Sequence, residues 1–428
     1  MIPHPFVGSN PWIALPRQVL RAFNGKGSLP IYELDKAKVQ KPYGRVRPFP
    51  VSSGDMNFSA WRLAHAIKKA DCLRQPSSQV LWTAAVGFLL ENAHLFDWSA
   101  EELRLNEGMA ASLADFSNSS LAGRIAQGMA LLFLEEKGYV YVGRFEYEWK
   151  RRAANQSKSW PAGKKKAPDF IAENGKQEWV LAESKGGFAS PASNPNIKGA
   201  LSDGLKQLDG WDKLIAPQPI KSFAIGTFLR ESGDVSEETS AIAFVDPEPE
   251  APEGPVEFPV DAVRRANYAS WLSLMDFEGV ANRVRAGSGE PQRRSVPVIA
   301  LGGREYAVSV LSVSPKQPDL SSREFWDDLR EWPFFPFGWG RGGIRVELVG
   351  LDLDVLQILA SASSSLGMSR LMELQPRQRG DAQRDAQIDY DGGAFFGSVF
   401  ADGSLLGELR FSRSSRPFPE FRWIDVDL

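Results

Sequence analysis

The chain has 428 residues and is 43% hydrophobic, which is enough length and apolar content for about two or three domains. Its formal net charge of -3 excludes a protein that coats nucleic acid with its whole surface, although a local basic patch would still be compatible with such binding. Cys72 is the only cysteine, so disulfides within the chain and cysteine-based zinc sites are excluded.

The sequence carries no pattern typical of membrane insertion or secretion. Its longest apolar run, residues 80–90, is much shorter than the ~20 residues that a membrane-spanning helix needs. The first ten residues also lack a basic start followed by an apolar stretch. We therefore expect a cytoplasmic protein with no membrane partner.

The N-terminal region, residues 1–117, is predicted to be mostly helical. Apolar periodicity favours helices at residues 61–73, 79–96 and 99–113. The third of these begins with Ser99 and Glu102, at the spacing of a capping box in which both side chains accept hydrogen bonds from backbone N–H groups.

The central region is predicted to alternate between helices and strands. A helix that begins near residues 117–120 and ends at Gly138 has apolar residues on one face, and aromatic and branched runs that favour strands follow it. Asn174-Gly175 is a strong hairpin signal between the second and third strands. After the first helix, the predicted elements are strands at 139–149, 168–172 and 177–183, a helix at 197–208, and strands at 222–229 and 241–245.

The C-terminal region follows a stretch rich in proline and glutamate, residues 246–259, which we interpret as a linker or an exposed loop. A helix is predicted at residues 262–284. The later strand-like runs are residues 298–301, 306–313 and 344–348, with a hairpin over 394–411 that turns at Asp402-Gly403.

The predicted fold class is therefore α/β, in three parts. Residues 1–117 form the helical N-terminal region, and residues 118–285, including the linker, form an α/β domain. Residues 286–428 form a mixed or mostly β domain.

Two acids and a lysine are the residues that indicate chemistry. Because side chains alternate along a strand, Glu183 and Lys185 lie on one face, whereas Ser184 points to the opposite layer. The hairpin brings Pro168-Asp169 alongside, so Asp169 can meet Glu183 across the strand pair. We expect Asp169, Glu183 and the backbone carbonyl of Ser184 to hold Mg²⁺, which prefers oxygen ligands.

Such a site is suited to cleavage of phosphodiester bonds. The cation would hold the scissile phosphate and lower the pKa of a bound water, and Lys185 would orient or deprotonate that water or donate to the phosphate. The three histidines, His4, His65 and His94, all precede this region, so we expect neither a histidine base nor a multi-histidine metal site.

A basic run lies directly before the candidate site. Lys164, Lys165 and Lys166 end just before Pro168-Asp169 and are candidates for contacts with substrate phosphates. The alternative is a solvated lysine-rich loop.

Pro168-Asp169 followed by Glu183-Ser184-Lys185, together with the order of elements from Ser120 to Val245, resembles the PD-(D/E)XK nuclease superfamily, which has a restriction-endonuclease-like fold. The resemblance implies a core of one helix, three strands, a second helix and a fourth strand. It also implies a divalent cation, Mg²⁺ or Mn²⁺, and a nucleic-acid substrate, with DNA favoured.

The resemblance also implies roles for residues on the two helices. Many members carry a glutamate on the first helix in a Gly-Arg-x-x-Glu setting, and here Gly123-Arg124 is followed by Gln127. This departure removes one negative charge from the expected metal site or makes Gln127 a residue that positions water or ligand. Lys206 and Gln207 stand where members often carry groups that face the phosphate.

The resulting hypothesis is a metal-dependent DNA nuclease whose flanking regions select the target, bind a protein partner or form a homo-oligomer. By analogy, it would act in defence against foreign DNA, in repair, or in toxicity toward a competitor. The alternative is a non-catalytic interaction or scaffold protein built on a degenerate nuclease-like core, which Gln127 favours. A second acid-x-lysine sequence, Glu135-Glu136-Lys137, ends a predicted helix and is interpreted as a solvated face.

Two further segments are weaker candidates for ligand binding. Residues 334–343 combine aromatic residues and glycines with Arg341 and could stack bases, but a packed loop is the simpler interpretation. Four aspartates have the character of cation ligands but are interleaved with arginines, which favours a solvated loop. They are Asp381, Asp385, Asp389 and Asp391.

Overall fold

Within its described residues the protein contains two seven-stranded β-sheets with helices packed against them, as seen in a computed structural model. The structure describes residues 25–41, 43–44, 46, 49–74, 92, 94–113, 115–164, 166–191, 195–233, 239–291, 293–310, 344–361, 365–377, 388–390, 393–411 and 422–427. Among the helices in these ranges, none has the length and apolar character needed to cross a membrane.

The elements are numbered here in chain order. The helices are α1 (Lys36–Gln40), α2 (Ala60–Arg74), α3 (Met109–Ser112), α4 (Asp115–Glu136), α5 (Phe145–Asn155), α6 (Ile197–Leu208), α7 (Ala262–Leu274), α8 (Glu278–Ala286), α9 (Leu353–Ser361) and α10 (Ser365–Glu373). The strands are β1 (Lys26–Glu33), β2 (Asp55–Ser59), β3 (Phe96–Asp97), β4 (Arg104–Leu105), β5 (Tyr139–Arg144), β6 (Phe170–Asn174), β7 (Trp179–Ala189), β8 (Ile215–Ala216), β9 (Lys221–Arg230), β10 (Ala241–Val245), β11 (Val256–Glu257), β12 (Arg293–Leu301), β13 (Arg304–Val310), β14 (Ile344–Asp352), β15 (Ile388–Tyr390), β16 (Gly393–Val399), β17 (Ser404–Phe411) and β18 (Arg422–Asp427).

The first sheet is mixed and has the order β2-β1-β10-β9-β7-β6-β5. Strands β5, β6 and β7 form an antiparallel meander, and β9 lies parallel to β7 after the crossover through α6. Strand β1 runs parallel to β10 and antiparallel to β2. The α/β fold class is confirmed, but the prediction for the N-terminal region omits β1 and β2.

The second sheet is antiparallel throughout and has the order β15-β16-β17-β14-β13-β12-β18. It contains the predicted strands at residues 298–301, 306–313 and 344–348, each extended at one end. Residues 311–313 of the second of these lie outside the described part. The predicted hairpin at Asp402-Gly403 is confirmed, and Gly403 has the positive φ of 89° that favours glycine.

Tight packing of α4 on β7 positions the centre of the first sheet. Ile125, Met129 and Phe133 are buried as the periodicity predicts. A Cβ atom at Gly186 of β7 would lie 2.3 Å from the carbonyl oxygen of Ala122, so only glycine allows this approach. The predicted hairpin after β6 is also present, with the Asn174 side chain accepting the N–H groups of the turn.

The predicted strand at residues 139–149 is wrong in its second half, because β5 ends at Arg144 and α5 follows. Phe145, Glu148 and Trp149 are buried with the spacing of a helix. The ring of Trp149 packs edge-on against Trp211, with 5.6 Å between the ring centroids. Tertiary packing therefore decides between two periods that this aromatic stretch satisfies equally well.

The predicted helix at residues 99–113 is also wrong, apart from the short α3. The Ser99 N–H and hydroxyl donate to the Asp97 carboxylate at 2.9 and 2.5 Å, and Glu102 pairs with Arg104 instead of capping. These contacts form a turn between β3 and β4. The predicted helix at residues 79–96 lies outside the described residues except at its end, where Phe96 begins β3.

The predicted helix at residues 262–284 is interrupted by a turn. Asp276 has a positive φ of 63°, and the Phe277 N–H donates to the Leu272 carbonyl, so the chain divides into α7 and α8. The predicted irregular stretch at residues 246–259 contains β11, which pairs with β8.

Buried ion pairs connect helices α2 and α7 to the two sheets. Lys69 of α2 contacts Asp402 at 2.6 Å, and side chains at both positions are at most 4% exposed. Arg264 of α7 contacts Glu173 of β6 at 2.6 Å and donates to the carbonyls of Leu371, Met372 and Leu374. The end of α10 is therefore connected through Arg264 of α7 to β6, the strand that leads out of the candidate site.

Replacement of Gly186 by alanine should destabilise the fold. The new Cβ would clash with Ala122, so α4 must move away from β7, and we expect a loss of about 1–3 kcal/mol in unfolding free energy by chemical denaturation. Gly123→Ala is the matched control, because a Cβ atom there would meet no other atom within 4 Å and alanine favours the helix by up to about 1 kcal/mol. Equal stabilities for the two variants would contradict this account of the packing.

Candidate active site

The candidate site lies at one edge of the β5–β6–β7 meander. Arg144, the last residue of β5, pairs with Phe170, and the ladder between β6 and β7 begins at the Phe170–Ala182 pair. Asp169 and Glu183 lie just beyond that pair. The Asp169 N–H donates to Glu183 Oε2 at 3.0 Å, so the two acids meet across the strands as predicted.

Asp169 accepts hydrogen bonds from three residues. Its Oδ2 accepts from the N–H of Ser184 at 3.1 Å and from the Ser184 hydroxyl at 2.6 Å. Its Oδ1 accepts from Arg144 Nη1 at 2.8 Å and from Gln127 Nε2 at 3.4 Å. Ser184 lies on the α4 face of β7, as Gly186 does, whereas Glu183 and Lys185 lie near Gly204 of α6. The Ser184 side chain therefore points to the opposite layer as predicted, and its hydroxyl reaches Asp169 from there.

Glu183 is buried between an acid and a base. Its Oε1 accepts from Lys185 Nζ at 2.5 Å, which confirms that Glu183 and Lys185 share one face of β7. Burial raises the pKa of Glu183 to about 7, and the nearby charge of Asp169 adds to this rise, while Lys185 partly offsets it. The carboxyl group is thus held close to the point where it gains or loses its proton at neutral pH.

Helix α6 brings Gln207 to the same cluster. Lys185 Nζ also donates to Gln207 Oε1, so the ammonium group is held between β7 and α6. Helix α6 approaches closely through Gly204, where a Cβ atom would lie 3.2 Å from Ala224 and 3.7 Å from Glu183 Cγ. The predicted residues that converge at this edge are Gln127, Asp169, Glu183, Ser184, Lys185 and Gln207.

Gln127 presents an unused acceptor to the cluster. It is 5% exposed, and its Oε1 has no hydrogen-bond donor among the described residues, although its Nε2 contacts Asp169. Buried acceptors of this kind are uncommon in proteins, and a water or an ion can satisfy them.

The donor set fits a hard cation with few protein ligands. No group of three His, Cys, Asp or Glu residues that could hold a metal exists in the part of the chain that the structure describes. Asp169, Glu183, the orphaned oxygen of Gln127 and the carbonyl of Ser184 would supply oxygen ligands only. The Ser184 carbonyl lies at the β6 edge of β7, because the N–H and C=O of one strand residue point the same way. Mg²⁺ commonly binds to one or two carboxylates, with waters and substrate phosphates completing its shell.

Among the described residues, the basic side chains predicted for substrate contacts make no hydrogen bond or ion pair with Asp169 or Glu183. Lys206 is exposed and pairs with Asp203 at 2.9 Å, so it does not join Gln207 in the cluster. Lys164 donates to the backbone carbonyl of Asp209 and lies 3.6 Å from its carboxylate, while Lys166 is exposed. Lys165 lies outside the described residues, as do residues 334–343, Asp381, Asp385 and Asp391. Of Asp389 the structure describes only the backbone, in β15.

The second acid-x-lysine sequence is a structural contact. Glu135 pairs with Arg62 at 2.5 Å, with both side chains 12% exposed, and it also accepts the N–H of Ala401. The helix end is confirmed at Glu136, but the interpretation of Glu135 as a solvated face is wrong.

Arg144 is the site residue that sequence reasoning missed. The sequence predicts it inside a strand that continues to residue 149, whereas it ends β5 and contacts Asp169. The residues after it fit both a strand period and a helical period, so the sequence carries no local signal that Arg144 stands at a strand end.

Comparison with known proteins adds nothing to these observations, since no family model, curated protein or solved structure matches the chain.

Replacement of Glu183 by glutamine should change the pH dependence of the unfolding free energy, measured in the absence of divalent cations. The pKa is raised from 4.5 to about 7 in the folded protein, so the stability that this group contributes is lost as the pH rises through that interval. Glu183→Gln lacks this loss, which is on the order of 3 kcal/mol. When unfolding free energies are measured between about pH 5 and pH 8, the unmodified protein should lose stability relative to Glu183→Gln as the pH rises.

Glu146→Gln is the control, because Glu146 is an exposed partner of Lys150 on α5. Its stability curve should run parallel to that of the unmodified protein. A parallel curve for Glu183→Gln as well would contradict the raised pKa.

Proposed function

We propose that the protein is a metal-dependent nuclease that hydrolyses phosphodiester bonds, with DNA as the favoured substrate. The observation that supports this most strongly is the convergence of Asp169, Glu183 and Lys185 at one edge of the first sheet. Two acids and an amine within hydrogen-bonding distance, in a partly buried setting, are a combination suited to phosphoryl chemistry.

The order of elements is consistent with the proposal. Helix α4, the meander β5–β6–β7, helix α6 and strand β9 follow the helix, three strands, helix and strand of the restriction-endonuclease-like core. Helix α5, between β5 and β6, is an addition to that plan. Fold alone does not establish activity, so the proposal rests on the side chains.

The chain's own residues would divide the work as follows. A bound Mg²⁺ or Mn²⁺ would supply Lewis-acid stabilisation of the phosphate. Asp169 and Glu183 would hold it, with the Gln127 carbonyl oxygen and the Ser184 carbonyl as neutral ligands or partners of its waters. Lys185, fixed by Glu183 and Gln207, would donate to the phosphate or orient the attacking water.

The surroundings of the site suggest how nucleic acid would approach. Lys164 and Lys166 lie in the loop before β6, and Lys206 is on the exposed side of α6. These residues would contact backbone phosphates beyond the scissile bond, which stabilises binding without reading sequence. By analogy, defence against foreign DNA is the role we favour.

A second candidate function is a non-catalytic interaction or scaffold protein. The observation that favours it is the ion pair of Arg144 with Asp169, together with Gln127 in place of an acid. The positive charge of Arg144 and the neutral side chain of Gln127 both lower the negative charge that would attract a cation.

Cation titration discriminates between the two functions. The nuclease requires Mg²⁺ or Mn²⁺ binding that calorimetry detects with or without an oligonucleotide, and Asp169→Ala should abolish it because the variant loses a carboxylate ligand. Lys137→Ala, at the second acid-x-lysine sequence, should bind like the unmodified protein. If calorimetry detects no heat of cation binding either with or without the oligonucleotide, the scaffold function is favoured.

Cleavage assays test the activity directly. The unmodified protein should cut at least one of supercoiled plasmid, single-stranded DNA and RNA in Mg²⁺ or Mn²⁺. Asp169→Ala and Lys185→Ala should each lower the rate by about a hundredfold or more, because each removes a group that acts on the reacting phosphate. Lys137→Ala should leave the rate unchanged.

Full activity in Asp169→Ala or Lys185→Ala would show that the cleavage does not arise at this site. Absence of cleavage by a folded protein on all three substrates would contradict the proposed function.

A further inference from the structure

Arg144 occupies the oxygen of Asp169 that a cation would need. Its Nη1 lies 2.8 Å from Oδ1, while Oδ2 already accepts two hydrogen bonds from Ser184. Among the described residues it is the only charged donor to Asp169. A cation cannot approach Oδ1 closely while the guanidinium stays there, because two positive charges would compete for one carboxylate.

The charges around the site are balanced while this ion pair is present. When both carboxyls are ionised, Asp169 and Glu183 carry two negative charges, and Arg144 and Lys185 carry two positive charges. A divalent cation would therefore meet a cluster with no net negative charge. Withdrawal of Arg144 leaves a net charge of about -1, and Asp169 Oδ1 then keeps only the long 3.4 Å contact with Gln127 Nε2.

Arg144 differs from Lys185 in how firmly it is held. Lys185 Nζ has two partners, Glu183 and Gln207, on two different elements. In the described part of the chain, the only hydrogen bond of the Arg144 side chain is the one to Asp169. Its guanidinium lies 5.9 Å from the ring of Phe170, and the side chain is 20% exposed. It can leave Asp169 without breaking any other hydrogen bond.

A phosphodiester offers Arg144 a better partner than a single carboxylate oxygen. The planar guanidinium can donate two parallel hydrogen bonds to phosphate, and such bidentate contacts are stronger than single ones. We propose that Arg144 gates the site: it closes Asp169 to divalent cations in the free protein and releases it when a nucleic-acid phosphate binds. This inference rests on the proposed nuclease function and adds a regulation of the same site.

The coupling has to work in both directions. If nucleic acid strengthens cation binding, the cation strengthens nucleic-acid binding by the same factor. Cation binding in the free protein is then weak, and the metal site forms fully only with substrate present. A phosphate that completes the metal shell also couples the two ligands, so the part of the coupling that belongs to the gate is the part that is lost when Arg144 is removed.

The experiment measures Ca²⁺ affinity by calorimetry, with and without a double-stranded oligonucleotide that gel electrophoresis shows to be intact after each titration. Ca²⁺ prefers oxygen ligands, as Mg²⁺ does. The unmodified protein should bind Ca²⁺ at least about tenfold more tightly with the oligonucleotide. Arg144→Gln should bind at least about tenfold more tightly than the unmodified protein without oligonucleotide, because a competing positive charge is gone.

Arg144→Lys and Arg293→Gln complete the design. Arg144→Lys keeps the charge, so its Ca²⁺ affinity without oligonucleotide should stay close to that of the unmodified protein. Arg293→Gln removes the same charge from an exposed pair with Asp425 in the second sheet and should change neither affinity nor coupling. Thermal unfolding verifies that each variant is folded. If Arg144→Gln is not folded, the Ca²⁺ affinity of Arg144→Lys is compared with that of the unmodified protein instead.

The outcomes separate this inference from the proposed function. If neither the unmodified protein nor Arg144→Gln binds Ca²⁺ in any condition, the metal-dependent function fails and the gate fails with it. If the unmodified protein binds Ca²⁺ and Arg144→Gln binds it no more tightly without oligonucleotide, the function stands and the gate is overturned.

Discussion

Strands β6 and β7 are joined at the candidate site by their acids. The Glu183 carboxylate accepts the Asp169 N–H, and the Asp169 carboxylate accepts the Ser184 N–H, just past the last regular pair of the ladder. A backbone N–H that loses its acceptor in a buried setting costs about 1–3 kcal/mol. The bonds that close the sheet at this edge are therefore also the bonds that hold both carboxyl groups in place.

The chemistry of this edge works against its stability. Glu183 is 2% exposed, close to Asp169, and has a pKa of about 7, so its ionised form is unfavourable in the folded protein. Gln127 leaves a buried oxygen without a donor in the described structure. A packed apolar cluster at the end of a strand pair would avoid both costs, and costs of this kind concentrate at functional sites.

Much of the site could be predicted from sequence because its parts are local. The Asn174-Gly175 turn determines the register that brings Asp169 to Glu183, and strand alternation puts Lys185 beside Glu183. The contact of Arg144 could not be predicted, since the aromatic stretch after it satisfies both a strand and a helix period. Nor could the isolation of Lys206 from Gln207, because a helix places adjacent residues about 100° apart and only packing shows which one faces inward.

Arg264 has a consequence for how the chain can be divided. This arginine, inside a helix with every residue buried, neutralises Glu173 of β6 and holds three carbonyls at the end of α10. A chain that ended at residue 285 would leave the Arg264 guanidinium without those three carbonyl acceptors. It would also expose the surface of α7 that α10 covers. We therefore expect that residues 118–285 do not fold alone, since β6 is connected through Arg264 to residues 371–374.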